Sequence, residues 1–206
     1  MDKRFEKILT ETKRIFMTYG IRSVSMDDIC RELGISKKTL YLFVSNKAEL
    51  VKLTLLHEHR QGAIAFKKIM KENKNAIDQL MMVSLFISKK LSEINPTFSH
   101  DLKKYFPSSS REDSEKRNQS IALKVKENIE LGIKQNLYRK DLNSELVSQL
   151  YVQKIETIMS PENFLASNYS FTEIFKVMFE NHIRGIANEE GIKHFEEKIK
   201  TFNIKL

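Results

Sequence analysis

The 206-residue chain contains one cysteine, three prolines and six glycines, and each scarcity removes a class of fold. A lone Cys30 closes no internal disulfide, which excludes a small disulfide-stapled scaffold. It falls on the apolar face of an expected helix, where a thiol is buried and inert rather than redox-sensing. With so few turn-forming residues, and with apolar positions recurring at helical spacing almost throughout, strands are not expected. No apolar run approaches the roughly 18 residues that cross a bilayer; the best, Leu80 to Ile87, is interrupted by Ser84. The opening MDKRFEKILTE mixes both charge signs and has no signal-peptide core, so a cytoplasmic protein is expected.

Catalytic signatures are missing as well: there is no phosphate loop, zinc signature or nucleophile elbow. His57 and His59 are two apart on a helix and point to different faces, whereas metal-binding pairs on helices use i, i+4 spacing. His100, His182 and His194 are isolated in sequence. The paired acids Asp27-Asp28, Glu189-Glu190 and Glu196-Glu197 read as helix-start charges or solvated faces. No enzyme, metal site or cofactor is expected.

What the chain does have is helical amphipathicity and positive charge. Hydrophobic content of 41% and charged content of 30% describe a globular chain rather than a disordered one. The net charge of +8 favours a polyanionic partner, and residues 1 to 60 hold 12 Lys or Arg against 8 Asp or Glu. A first helix runs from about Lys3 to Tyr19, with Phe5, Ile8, Leu9, Thr12, Ile15, Phe16 and Tyr19 on one stripe and Gly20 ending it. Asp27 to Leu33 is a second, amphipathic through Ile29, Cys30 and Leu33. Gly34 then supplies a residue free to take positive φ, Ile35 is a buried anchor, and Ser36 caps a short helix from Lys37 to Phe43. Too short to stand alone, that helix turns Leu40 and Phe43 inward and leaves Lys37, Lys38, Thr39, Tyr41 and Leu42 outward. Two lysines, a threonine and a tyrosine there suit phosphate oxygens and base edges in a major groove.

This stretch resembles the DNA-binding domain of the TetR family of bacterial transcriptional regulators. The resemblance covers residues 5 to 50 and rests on Ile15-Phe16, Tyr19-Gly20-Ile21, Val24-Ser25-Met26-Asp27-Asp28-Ile29, the run from Leu33 to Tyr41, and Asn46-Lys47-Ala48-Glu49-Leu50. One departure is Phe43-Val44, where the family usually has an aromatic or His followed by Phe; Phe43 has no polar tip with which to touch phosphate. Residues 1–50 are then expected to be a three-helix helix-turn-helix domain, and 51–206 a helical regulatory and dimerisation domain. DNA contacts are expected from Lys37, Lys38, Thr39 and Tyr41, with Ser25 and Lys47 on phosphates.

Beyond the motif, Asn46 with Glu49 resembles a capping box opening a long helix from Lys47 to about Glu72. Further helices are expected over about 76–93, 112–137, 144–159, 171–187 and 190–202, the fourth of these opened by Ser170 with Glu173. The clearest loop is expected at Pro107-Ser-Ser-Ser. The helix from Ala76 is apolar on more than one face, and its Met81, Met82 and Phe86 are either core or a pliable pocket lining. The resemblance implies an inducer site among the middle helices, assigned to Met82, Phe86, Tyr105, Phe106 and Ile129 and suited to a small, mostly apolar effector. It also implies a homodimer through the helices at 144–159 and 171–187, with Leu146, Leu150, Phe175, Phe179 and Ile183 at the interface. The expected function is thus a ligand-responsive repressor on an inverted-repeat double-stranded DNA operator. The alternative is a helical protein-interaction module whose helix-turn-helix no longer reads an operator.

Overall fold

In a computed structural model the described residues, 2–92, 95–159 and 168–202, form ten α-helices. They are α1 Lys3–Tyr19, α2 Met26–Leu33, α3 Lys37–Tyr41, α4 Lys47–Glu72, α5 Ala76–Ser92, α6 Pro96–Tyr105, α7 Pro107–Lys134, α8 Ser144–Met159, α9 Phe171–Ile186 and α10 Glu189–Phe202. The all-α expectation holds. Among the described residues extended pairing amounts to an isolated bridge between Tyr138 and Ala187.

Local chemistry sets most of the helix ends. The Asp2 side chain accepts from the Arg4 N–H at 2.8 Å and opens α1. Ser170 and Glu173 form the expected reciprocal capping box at α9. At α4 the pattern is close to the one expected: Asn46 accepts from the Glu49 N–H, but the Glu49 carboxylate takes the N–H of Ser45 rather than that of Asn46. The loop expected at 107–110 is instead the first turn of α7. Proline at the first helical position loses an N–H that has no intrahelical partner anyway, and Ser110 already donates to the Phe106 carbonyl at 2.9 Å.

The chain divides into two compact units, residues 1–65 with 93–117, and residues 66–92 with 118–206. The motif-based division at residue 50 follows the family resemblance, and the compact units follow packing, so the first unit also takes in α6 and the start of α7. Its core is built from Phe5, Ile8, Leu9, Ile15 and Phe16 of α1, joined by Ile21, Val24, Ile29, Cys30, Leu40, Val44, Leu50 and Val51, with Leu102 of α6. His57 and His59 do face different ways: His57 is buried against Thr10 of α1 at 3.0 Å, and His59 meets Asp113 of α7 at 2.8 Å.

The second unit has its own core, in which Tyr138 packs with buried side chains of α5, α7, α8, α9 and α10, Phe179 and Phe195 among them. Tyr138 has no accessible surface, and its hydroxyl donates to Asn128 Oδ1 at 3.1 Å; Asn128 in turn donates to the Ala76 carbonyl at 2.8 Å. The tyrosine ring packs directly against Gly132, where an added Cβ would sit 2.1 Å from a ring carbon. His182 is buried against Tyr151, ring centroids 4.5 Å apart, and its Nε2 has no hydrogen-bond partner.

Candidate nucleic-acid interface

The turn between α2 and α3 is made by Gly34 at φ 61° and ψ 35°, a left-handed conformation that other residues adopt at a cost. Its N–H and that of Ile35 return to carbonyls of α2, which closes the helix end. Ser36 then caps α3, accepting from the Thr39 N–H at 3.1 Å. Helix α3 holds only five residues, ending at Tyr41 rather than Phe43. It is fixed to the domain by Leu40, which has no accessible surface, by buried Val44, and by Phe43, whose ring stacks on Phe5 at 4.7 Å and 8°. Lys38, Tyr41 and Leu42 are left exposed on one outward surface.

The other expected DNA contacts are partly engaged within the unit. Lys37 is exposed but pairs with Asp27 of α2 at 2.7 Å. Thr39 is half-buried, its hydroxyl 2.9 Å from that of Ser36. Ser25 is the N-cap of α2: its hydroxyl donates to Asp28 at 2.6 Å and accepts from the Asp28 N–H. That box holds the Asp28 carboxyl below its usual range, chiefly through the Ser25 hydroxyl. Lys47 is half-buried and donates to the Arg22 carbonyl at 3.4 Å; burial lowers its pKa against the opposing pull of Asp101 and Asp28.

The structure adds a partner that the motif does not announce. Asp101 of α6 is buried and accepts from the Arg22 N–H at 2.8 Å, in the turn between α1 and α2. Arg22 also donates through Nη1 to the Tyr105 hydroxyl at 2.5 Å, its guanidinium 4.8 Å from the centre of that ring. Gly20 at φ 82° permits this approach, since a Cβ there would lie 3.0 Å from both Asp101 and Thr97. The Tyr-Gly-Ile signature thus serves the seating of α6 as well as the end of α1.

The residues expected to line an effector site are divided between the two compact units. Tyr105 and Phe106 belong to the first unit, where Tyr105 is engaged by Arg22 and Phe106 packs on the core. Met82, Phe86 and Ile129 belong to the second. Ile129 has no accessible surface and is a core residue rather than a lining one; Met82 is exposed and Phe86 half-buried. The expected dimer residues need a similar correction. Phe179 and Ile183 have no accessible surface and Phe175 only 3%, because α9 spends its aromatic stripe inside its own subunit. Leu146 at 55% and Leu150 at 48% exposure do face outward, and Val177 of α9, at 57%, joins them as an exposed apolar residue. An open cleft of about 450 Å³ in the second unit is lined by Lys74, Asn75, Gln135, Leu137, Glu190 and His194. Its Gln135 side chain already bonds the Lys74 carbonyl and the Ala76 N–H.

Comparison with known proteins agrees with this geometry. Residues 8–53 match the family described as bacterial regulatory proteins, tetR family. An uncharacterized HTH-type transcriptional regulator, YvaF of Bacillus subtilis strain 168, is 25% identical over 197 residues, spanning 92% of this chain and 97% of that protein. Among solved structures, a transcriptional regulator from Cytophaga hutchinsonii superposes with a TM-score of 0.70 at 18% identity, covering 91% of this chain and all of that one. A TetR-family regulator from Agrobacterium tumefaciens gives 0.68 at 13% identity over 88% and 96% of the two chains. With the αL turn at Gly34, the capped α3 and its outward basic surface inside the matched segment, residues 8–53 are a helix-turn-helix DNA-binding domain of the tetR family, in a chain whose described residues are helical and which is similar over most of its length to an HTH-type transcriptional regulator.

Proposed function

We propose that this regulator is a cytoplasmic homodimer that represses transcription from an inverted-repeat operator and is released by a small, mostly apolar effector. The observation that carries the DNA half is the outward face of α3, where Lys37, Lys38 and Tyr41 stand on a helix pinned from behind by Leu40 and Phe43. Such a face offers charge to phosphates and a hydroxyl-tipped ring to base edges. Thr39 is a base-edge contact through its methyl, its hydroxyl being shared with Ser36. Lys47 reaches phosphate by exchanging the Arg22 carbonyl for a charged acceptor. Ser25 contributes through the helix start that it caps.

A homodimer is supported by the exposed Leu146 and Leu150, one helical turn apart on α8, and by Val177 on α9. A two-fold axis makes such a face self-complementary, and two recognition helices then meet half-sites a whole number of helical turns apart. The effector belongs to the second unit near Met82 and Phe86, apolar side chains that its core leaves partly uncovered. Coupling is reciprocal: an effector that weakens operator binding must itself bind less tightly in the presence of operator, by the same factor.

The test is selection from random duplexes followed by titration. The expected result is a palindromic consensus bound in preference to a scrambled duplex, with a salt dependence that is shallower in Lys47→Ala. Equal affinity for both duplexes, with an unchanged salt slope in that variant, would overturn the operator reading and leave a helical protein-interaction module.

A further inference from the structure

We infer that Leu42 reads sequence, by placing its side chain against the C5 methyl of a thymine in each half-site. This rests on the operator reading above and names one base-contacting group within it. Leu42 is 73% exposed, the highest value among the large apolar residues described. It is the C-cap of α3, with backbone at φ −69° and ψ −23°, a position that makes no demand for an apolar side chain. Nor does the core need it. Leu40 and Val44 are buried on either side of it in sequence, and Phe43 is held by its stack on Phe5. Those three anchors also fix where Leu42 points, since neighbours locked inward leave the intervening side chain outward.

The surroundings say what covers it. Lys37 and Lys38 stand at the start of the same five-residue helix, Tyr41 is exposed beside it, and Asn46-Lys47 follow within one turn of chain. A solitary aliphatic group inside a basic, hydroxyl-bearing surface fits neither a membrane nor an apolar protein groove, but it does fit a major groove. There the base edges present hydrogen-bonding groups at almost every position, and the thymine methyl is their most prominent apolar group. An aliphatic side chain gains most there from that methyl. Seated elsewhere, it would strand a base donor or acceptor away from water.

The experiment uses the full chain and its selected operator, replacing each thymine pair by deoxyuridine at symmetric positions in both half-sites and measuring Kd by fluorescence anisotropy. At one thymine position, loss of the methyl should weaken the wild type about three- to fivefold per half-site. Leu42→Ala should bind more weakly overall and be indifferent to that same replacement. The variant removes an exposed side chain, and an unchanged melting temperature shows that it folds. If the wild type prefers its operator yet tolerates deoxyuridine at every thymine, or if Leu42→Ala shows the same methyl dependence, the Leu42 assignment falls while the operator reading stands. If the wild type prefers no duplex, both fall.

Discussion

Asp101 and Arg22 lie 79 residues apart, and the carboxylate of one accepts the backbone N–H of the other at 2.8 Å. A buried acid on α6 thereby terminates the turn that leads into the helix-turn-helix. Replacing it with Ala leaves that N–H without its acceptor, so Asp101→Ala should lower the stability of the first unit by about 1–3 kcal/mol. Asp101→Asn, which keeps an acceptor oxygen, should lose less. Urea denaturation followed by an operator-binding titration measures both, and a variant as stable as the wild type would show that Arg22 is satisfied by water.

Two glycines make a paired prediction because both have positive φ but different surroundings. Gly34 has nothing within 4 Å of an added Cβ, so Gly34→Ala should cost only the left-handed backbone strain, about 1 kcal/mol. Gly20 has the strain and also the close approach to Asp101 and Thr97, so Gly20→Ala should lose clearly more stability. Melting temperatures of the two variants, measured side by side, give the ranking; the reverse order would contradict the α6 seating.

Removing one oxygen from the second unit tests its polar link. Tyr138→Phe leaves Asn128 Oδ1 buried without its donor, and should destabilise by about 1–3 kcal/mol with little change in shape. Gly132→Ala should be far more damaging, because its Cβ would overlap the Tyr138 ring. Circular dichroism melts of both variants provide the check.

His182 makes a pH prediction. Burial, with a smaller push from Lys154, lowers its pKa to about 4 from the ordinary 6.5. Above pH 6.5 the ring is neutral whether the chain is folded or unfolded, so it takes no toll on stability. As pH falls from 6.5 towards 4 the unfolded chain binds the proton and the folded chain does not, so stability declines by up to roughly 3 kcal/mol. His182→Phe should flatten that part of the curve relative to wild type. Parallel curves for the two proteins would show that the folded ring protonates freely.

The helices were legible in the sequence wherever one side chain decides a boundary. Gly20 and Gly34 mark helix ends, and Ser36, Asn46 and Ser170 mark starts, because a cap acts within four residues of itself. Pro107-Ser-Ser-Ser reads as a loop in sequence yet opens a helix, because proline starts helices as readily as it breaks them, and the Phe106 carbonyl accepting from the Ser110 N–H distinguishes the two. Asp101 carried no local signal at all. The stripe of Phe175, Phe179 and Ile183 is plainly apolar in the sequence, but periodicity cannot say whether an apolar face meets its own subunit or another. A cue for Val177 did exist: it lies off that stripe, where a solvated helix would carry a polar residue.

Cys30 is the chain's only thiol, 6% exposed, its ionisation further suppressed by burial. It is therefore a built-in clock. A thiol reagent can reach it only when the helix-turn-helix core opens, so at low reagent concentration the labelling rate reports how often that core is open. Operator or effector can then be scored by whether it slows or hastens that clock, with no probe attached and no residue replaced.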